Sequence, residues 1–268
     1  MIHTRRYGAP GGLPTVLAHC FLGHSGSWKE LMAEFGPSVD ALALDMPGHG
    51  RSQMPDDPGD FHAMTSDVIT GLVARPSLLI GHSFGAASML RHALHHPQTV
   101  TGLVLIEPVY FGIAKGEPEF DPYVETERPM QQAVLAGDLN NAARHFLALN
   151  VGSPKFESLP SMAQALMAEQ MRLVHATKAG LFDDSGNLQK PGLMAGFDCP
   201  VLLILGSETT PIFVATARRL AECLPRAEVA VIEGAGHMVP ISHAKQTAAR
   251  IQRWLAETGQ IAQAASES

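Results

Sequence analysis

This chain is poor in cysteine: Cys20, Cys199 and Cys223 are the only three. They are odd in number and form no C-x-x-C pair, which excludes a disulfide framework and reads as reduced thiols in a cytoplasmic protein. Long hydrophobic runs are also missing. No stretch approaches the roughly 20 apolar residues of a membrane span, and the opening "MIHTRRYGAPGG" has no apolar core of signal-peptide length. Clusters of Lys and Arg are absent too. With 19 basic against 26 acidic residues, the net charge is −7. That balance argues against nucleic acid or an anionic membrane as the main partner. No internal repeat or low-complexity tract interrupts the sequence.

What is present is a core. The 268 residues are 46% hydrophobic and 17% charged, enough to bury one large domain rather than to stay disordered. Six short apolar runs, "TVLAHC", "SVDALALDMP", "PSLLIGHS", "VTGLVLIEP", "CPVLLILGS" and "AEVAVIEGAGH", are nearly continuous in Val, Leu, Ile and Ala. Strands of a parallel sheet read this way when both faces are buried. Helical patterns over Phe84–His96, Pro211–Leu224 and Ile241–Glu257 lie between or after them. The alternation predicts an α/β fold, an open and mostly parallel sheet with helices on both faces.

That alternation fails once, between Tyr110 and Gly196. There "RPMQQAVLAGDLNNAARHFLALN" reads as two helices around a Gly-Asp turn. "SLPSMAQALMAEQMRLVHAT" reads as another, with Ser158 or Ser161 as its cap. The expected organisation is a core of residues 1–109 and 197–268 with a helical insertion at 110–196. The tail after Trp254, ending "GQIAQAASES", is expected to fray.

The most informative stretch is "LLIGHSFGA", Leu78 to Ala86. A G-x-S-x-G sequence between a strand and a helix forms a turn so tight that it pushes Ser83 into a strained backbone conformation with its hydroxyl above the sheet. Side chains at Gly81 or Gly85 would collide with the neighbouring strand or helix. The helix starting at Phe84 turns its free amides and positive end toward the same point. A Gly-Ser turn without chemistry is the plainer alternative, and the strand–turn–helix context weighs against it.

Four stretches in order, "LAHCFLGHSGSW" (Leu17–Trp28), "DMPGHGRS" (Asp45–Ser52), "GHSFGA" and "IEGAGHMVP" (Ile232–Pro240), make the chain resemble the α/β-hydrolase superfamily over almost its whole length. The resemblance implies a serine hydrolase with a helical cap. Ser83 would be the nucleophile and His237 the base that a serine hydroxyl needs. The other histidines carry less weight: His92, His95 and His96 lie at helical spacing near a helix end, and His19, His49 and His82 are expected to brace loops. The family's usual acid, in G-x-x-D after the strand before the last, is replaced: in "LGSETTP" Thr209 stands where the Asp would be. Two carboxylates are left, Glu107 at the end of the strand after the elbow and Glu208 one residue early. Glu107 is favoured, because some branches place the acid there and because a charge at the end of an apolar strand needs a partner.

The resemblance also implies an oxyanion hole made by the backbone N–H groups of Phe21 and Phe84. Cys20 stands where the family usually has Gly, and would strain the loop if that position required positive φ. The insertion offers pocket walls in Tyr110, Phe111, Met130, Leu135, Phe146, Met162, Leu166, Met167 and Met171, and Met238 follows the base; most of these are expected simply to pack. Neither Arg128 nor Arg172 is clearly placed to clamp an anion. The expected function is hydrolysis of a small or medium, mainly apolar ester through an acyl-enzyme, with no metal and no cofactor. Cleavage of a C–C bond, lactone or amide on the same triad is the alternative, and a non-catalytic binding protein on this fold is another. The serine excludes haloalkane dehalogenase and epoxide hydrolase chemistry, which in this fold use an Asp nucleophile.

Overall fold

The computed structural model describes residues 1–149 and 155–261. The strands are β1 (Thr4–Gly8), β2 (Leu13–Ala18), β3 (Val39–Leu44), β4 (Ser77–His82), β5 (Val100–Ile106), β6 (Val201–Gly206) and β7 (Ala227–Ile232). The first helices are α1 (Lys29–Phe35), α2 (Phe61–Leu72) and α3 (Phe84–His95). Between β5 and β6 come α4 (Phe120–Leu135), α5 (Leu139–Ala148), α6 (Ser161–Ala176) and α7 (Lys178–Leu181). After β6 come α8 (Pro211–Cys223), α9 (Val239–Ser242) and α10 (Ala244–Glu257).

The strands form one seven-stranded sheet in the order β1-β3-β2-β4-β5-β6-β7. Every pair is parallel except β1 with β3. β4, which leads to Ser83, is buried along its whole length. Its side chains alternate between the faces as the strand pleat requires. Leu78 and Ile80 join the layer under α1 and α10, with Trp28 and Trp254, whereas Leu79 joins the layer under α2, α3 and α8. Burial on both sides holds the elbow at the sheet's C-terminal edge, where open α/β sheets bind their ligands.

Several local expectations differ from the structure. β1 gave no apolar run, because it is an antiparallel edge strand whose Arg5 and Arg6 face solvent. β7 is the opposite edge, so its apolar residues are not all buried: Val229 and Val231 are exposed. Helices α1 and α2 were not anticipated. α4 begins well before Arg128 and carries Pro129 within it. Neither Ser158 nor Ser161 caps α6: the residue at its N-cap is Pro160, and the Ser158 hydroxyl donates to the Lys155 carbonyl in the preceding turn. The tail is ordered further than expected. α10 runs to Glu257, and the Gln260 amide donates to the Leu255 carbonyl at 2.8 Å. The rest of that tail, residues 262–268, lies outside the described residues.

The segment between β5 and β6 packs in two ways. Met130, Ala133, Ala142, Ala143, Phe156, Met171 and Val174 from α4, α5, α6 and the loop before α6 form a small core of their own. Tyr110, Phe111 and Phe120 at its start, and Leu181, Leu188 and Met194 toward its end, join the main core of the sheet domain.

Candidate active site

Ser83 sits between β4 and α3 with φ 56° and ψ −118°, a conformation L-residues rarely adopt. The glycines around it are sterically required. A Cβ on Gly81 would lie 2.5 Å from Ala86 Cα, and one on Gly85 would lie 2.2 Å from the Ala18 carbonyl oxygen. The turn therefore closes only if both positions lack side chains, and the Ser83 amide is held by the Ile106 carbonyl at 2.8 Å.

His237 follows β7 and points its Nε2 at Ser83 Oγ, 3.0 Å away. Its Nδ1 lies 3.3 Å from Glu107 Oε2. The ring packs against Phe213, centroids 4.7 Å apart. The loop's position comes from two residues that are not part of this chain of contacts. A Cβ on Gly206 would lie 2.1 Å from the Ala235 carbonyl oxygen, so only glycine lets the histidine loop approach β6 so closely. His82 donates from Nε2 to the carbonyl of His237 at 2.8 Å. Burial holds the His82 imidazole down at about 3, so it stays neutral, and the carbonyl acceptor fixes its proton on Nε2.

Glu107 is fully buried at the end of β5, with φ 49°. Its Oε1 accepts from the Gly206 amide at 2.7 Å, and its Oε2 accepts from the Thr209 hydroxyl at 2.6 Å. A buried carboxylate needs such donors to offset its lost hydration. The Glu208 side chain, by contrast, is exposed and makes no hydrogen bond to His237 among the described residues. It lies at the rim of the cavity above Ser83.

The loop after β2 brings Phe21 to the serine, its ring 4.9 Å from that of Phe84. Neither the Phe21 nor the Phe84 amide donates to a protein acceptor among the described residues. His19 orients the peptide preceding Phe21. Its Nε2 accepts from the Met46 amide at 3.0 Å, so its proton is on Nδ1, which donates to the Cys20 carbonyl at 2.7 Å. In a trans peptide the N–H points opposite the C=O. The Phe21 N–H therefore faces away from His19. Burial keeps His19 neutral, with its titration lowered to about 3. Cys20 carries no left-handed strain; the residue with positive φ is Leu22, at 64°. The Cys20 thiol is buried and pushed up to about 12, so it is not a thiolate at neutral pH.

A cavity of about 570 Å³ opens over Ser83, walled by Phe146, Leu147, Met167, Met238 and Ile241 with His24 and His243 near its rim. A smaller chamber of about 60 Å³ adjoins it; Phe21, Ser83, Phe146 and His237 line both. Phe111 lines the inner chamber, together with Tyr123, Glu127 and Gln131 of α4. Of the nine expected wall residues of the insertion, Tyr110, Met130, Leu135, Met162, Leu166 and Met171 line neither cavity. Tyr110 is fully buried and donates to Asp184 Oδ1 at 2.6 Å, and Met130 is buried in the small core of the insertion, as is Met171. Leu135 and Met162 are exposed at 74% and 84%. Arg128 and Arg172 pair on the surface with Glu125 and Glu169. Sequence reasoning missed Gly206, the donor role of Thr209, and the stripe Tyr123–Glu127–Gln131. The last is spaced i, i+4, i+8 along one helix face, a signal that was available.

His92 bonds to Thr70 and Thr99, and His95 to the Gly186 carbonyl. Among the described residues no three His, Cys, Asp or Glu side chains converge as a metal site, and no helix is long and apolar enough to cross a membrane.

Comparison with known proteins adds family and fold. A model of the alpha/beta hydrolase family matches residues 15–250. The chain is 30% identical over 248 residues to a dihydrolipoyllysine-residue acetyltransferase component of an acetoin cleaving system from Pseudomonas putida, covering 89% of this chain and 62% of that protein. It thus spans less than two thirds of that relative. It is 27% identical over 241 residues to a pimeloyl-[acyl-carrier protein] methyl ester esterase of Yersinia pestis, covering 87% and 89% of the two chains. A thermophilic esterase from Thermogutta terrifontis superposes with a TM-score of 0.70 at 20% identity, over 96% and 93% of the chains. A haloalkane dehalogenase variant from Bradyrhizobium elkanii superposes with 0.72 at 19%, over 97% and 94%. At such identities the superpositions speak for the fold and not for the reaction.

Proposed function

The chain belongs to the α/β-hydrolase family, and we propose that within it this protein is a serine hydrolase cleaving a small or medium ester through an acyl-enzyme on Ser83. One observation carries the reading: Ser83 Oγ, His237 and Glu107 form a continuous line of contacts of 3.0 and 3.3 Å, with the serine at the floor of a cavity. That geometry meets the requirements of an activated nucleophile, a base within reach and a group that orients the base. The esterases among the relatives favour ester over amide cleavage.

The steps follow from the positions. His237 Nε2 takes the Ser83 proton as Oγ attacks the ester carbonyl. Glu107 keeps the other ring proton on Nδ1 and stabilises the imidazolium that forms. The oxyanion of the tetrahedral intermediate accepts from the Phe21 and Phe84 amides, the second at the positive end of α3. Collapse breaks the ester C–O bond, and His237 returns the proton to the departing alcohol. Water, deprotonated by His237, then attacks the acyl-serine and releases the carboxylic acid. The helical segment 110–196 acts as a cap whose Phe111, Phe146 and Met167 shape the apolar part of the site.

A fluorophosphonate probe with peptide mass spectrometry tests the reading, with Ser83→Ala and Glu107→Gln beside the unaltered protein. Label on Ser83 that disappears in Ser83→Ala and weakens strongly in Glu107→Gln is expected, followed by turnover on an ester panel. A folded protein that takes no label would overturn it. Full labelling of Glu107→Gln would move the orienting acid elsewhere.

A further inference from the structure

The inner chamber beside Ser83 is not uniformly apolar. Phe21, Phe84 and Phe111 line it, yet α4 contributes a carboxyl, an amide and a phenol to the same space. Of these, Glu127 is the least accounted for. Its Oε1 accepts from the Tyr123 hydroxyl at 3.1 Å, and Oε2 has no hydrogen-bond partner among the described residues. No cation pairs with it there, since the nearby Lys178 is engaged with Asp183 at 2.8 Å. One turn on, Gln131 Oε1 accepts from His175 Nδ1 at 2.6 Å, which leaves the Gln131 amide N–H groups without an acceptor among the described residues. Glu127 is half-buried, and drawing a carboxyl partly out of water beside aromatic rings, with a single phenol as compensation, works against folding. Burial pushes its titration up to about 7. Such an unpaid cost in a cleft beside a nucleophile marks a functional group.

The two unused functions, an acceptor on Glu127 and a donor on Gln131, lie one helical turn apart on one face of α4. They complement a group that both donates and accepts. Resting on the serine-hydrolase reading, we infer that the inner chamber selects esters whose short chain ends in a hydroxyl, which donates to Glu127 and accepts from Gln131. The chamber, at about 60 Å³, admits only a short chain end. The larger cavity holds the other half of the ester. Glu127 is then a specificity residue and takes no part in proton transfer at the carbonyl.

The test uses methyl esters in which CH₃ and OH exchange at constant length: butanoate against 3-hydroxypropanoate, pentanoate against 4-hydroxybutanoate, hexanoate against 5-hydroxypentanoate. Alkyl and hydroxyalkyl fluorophosphonates of the same lengths report on Ser83 without requiring deacylation. The expected result is a preference of about ten- to a hundredfold for the hydroxyl member at one length. Glu127→Leu should abolish or invert it, and Glu127→Gln should retain part, with thermal melts showing both variants folded. Equal rates within every pair, with Ser83 reactive, overturn the inference and leave the hydrolase reading intact. A preference that survives in Glu127→Leu also overturns it. An unreactive Ser83 toward all probes and esters removes both.

Discussion

Thr209 and Glu107 are joined by a 2.6 Å hydrogen bond to the carboxylate oxygen that faces His237. Thr209, at the position where the sequence pattern leads one to expect a carboxylate, is thus a donor to a carboxyl on the neighbouring strand. Moving the carboxylate from 107 to 209 gives a direct test of this relationship. Glu107→Gln is expected to lower kcat by about 10³–10⁴-fold, the scale seen when an orienting carboxylate becomes an amide. Thr209→Val should lower it about tenfold by removing one donor. Adding Thr209→Asp to Glu107→Gln should recover at least tenfold over Glu107→Gln alone, read as kcat on p-nitrophenyl acetate. No recovery would mean that a carboxylate at 209 cannot reach the histidine.

The backbone at Ser83 leads to a second prediction. At φ 56° Ser83 has a conformation that suits glycine. Strain of this kind costs about 1–3 kcal/mol. Ser83→Gly should therefore be inactive yet melt higher, by about 2–4 °C for each kcal/mol of strain relieved, whereas Ser83→Ala, equally inactive, keeps the Cβ and the strain. Differential scanning calorimetry of the two variants separates them; equal melting temperatures would show that the turn stores no strain.

Much of this was legible beforehand. The buried strands could be read because their faces are both apolar, and the elbow because its glycines answer a steric demand that sequence states openly. The edge strand β1 could not, since Arg5 and Arg6 are compatible with a loop until β3 is seen beside them. Helix α4 extends upstream of Arg128, although Pro129 looks like a helix boundary in sequence, and it packs there against α5 and α6. Tyr110 and Met130 carry the composition of pocket walls, but which way a helical or loop side chain turns is decided by tertiary contacts. Only the structure distinguishes Glu107 from Glu208 by surroundings, one carboxyl being wholly enclosed and the other in solvent.

Buried histidines predict acid sensitivity. Burial lowers His19 and His82 to about 3, and His49, His62 and His92 to about 4. In the unfolded chain each titrates near its ordinary 6.5. Below that pH the unfolded state binds the extra proton, so stability present above pH 6.5 is lost as pH falls toward 4. Each such group contributes up to about 1.4 kcal/mol per pH unit in that window. Urea midpoints should be level between pH 8 and 7 and drop steeply from 6.5 to 5; a flat profile to pH 5 would refute the buried neutral state.

Glu127 runs in the opposite direction. Its carboxyl is raised from 4.5 to about 7 by burial, more than the Tyr123 hydroxyl and the positive charge of Lys178 draw it back. Tyr123 itself is pushed far above 10 and stays neutral through the range. Between pH 4.5 and 7 the folded state holds a proton that the unfolded state has released, so this group costs stability progressively as pH rises. Above pH 7 the cost reaches roughly 3 kcal/mol, at about 1.4 kcal/mol per pKa unit. Replacing it with leucine removes this pH-dependent cost. Glu127→Leu should therefore be more stable than the unaltered protein at pH 8, with the advantage shrinking steadily toward pH 5. Paired urea titrations at both pH values read this directly. A stability difference that does not change with pH would mean that the carboxyl titrates normally, and that the inner chamber is open to water.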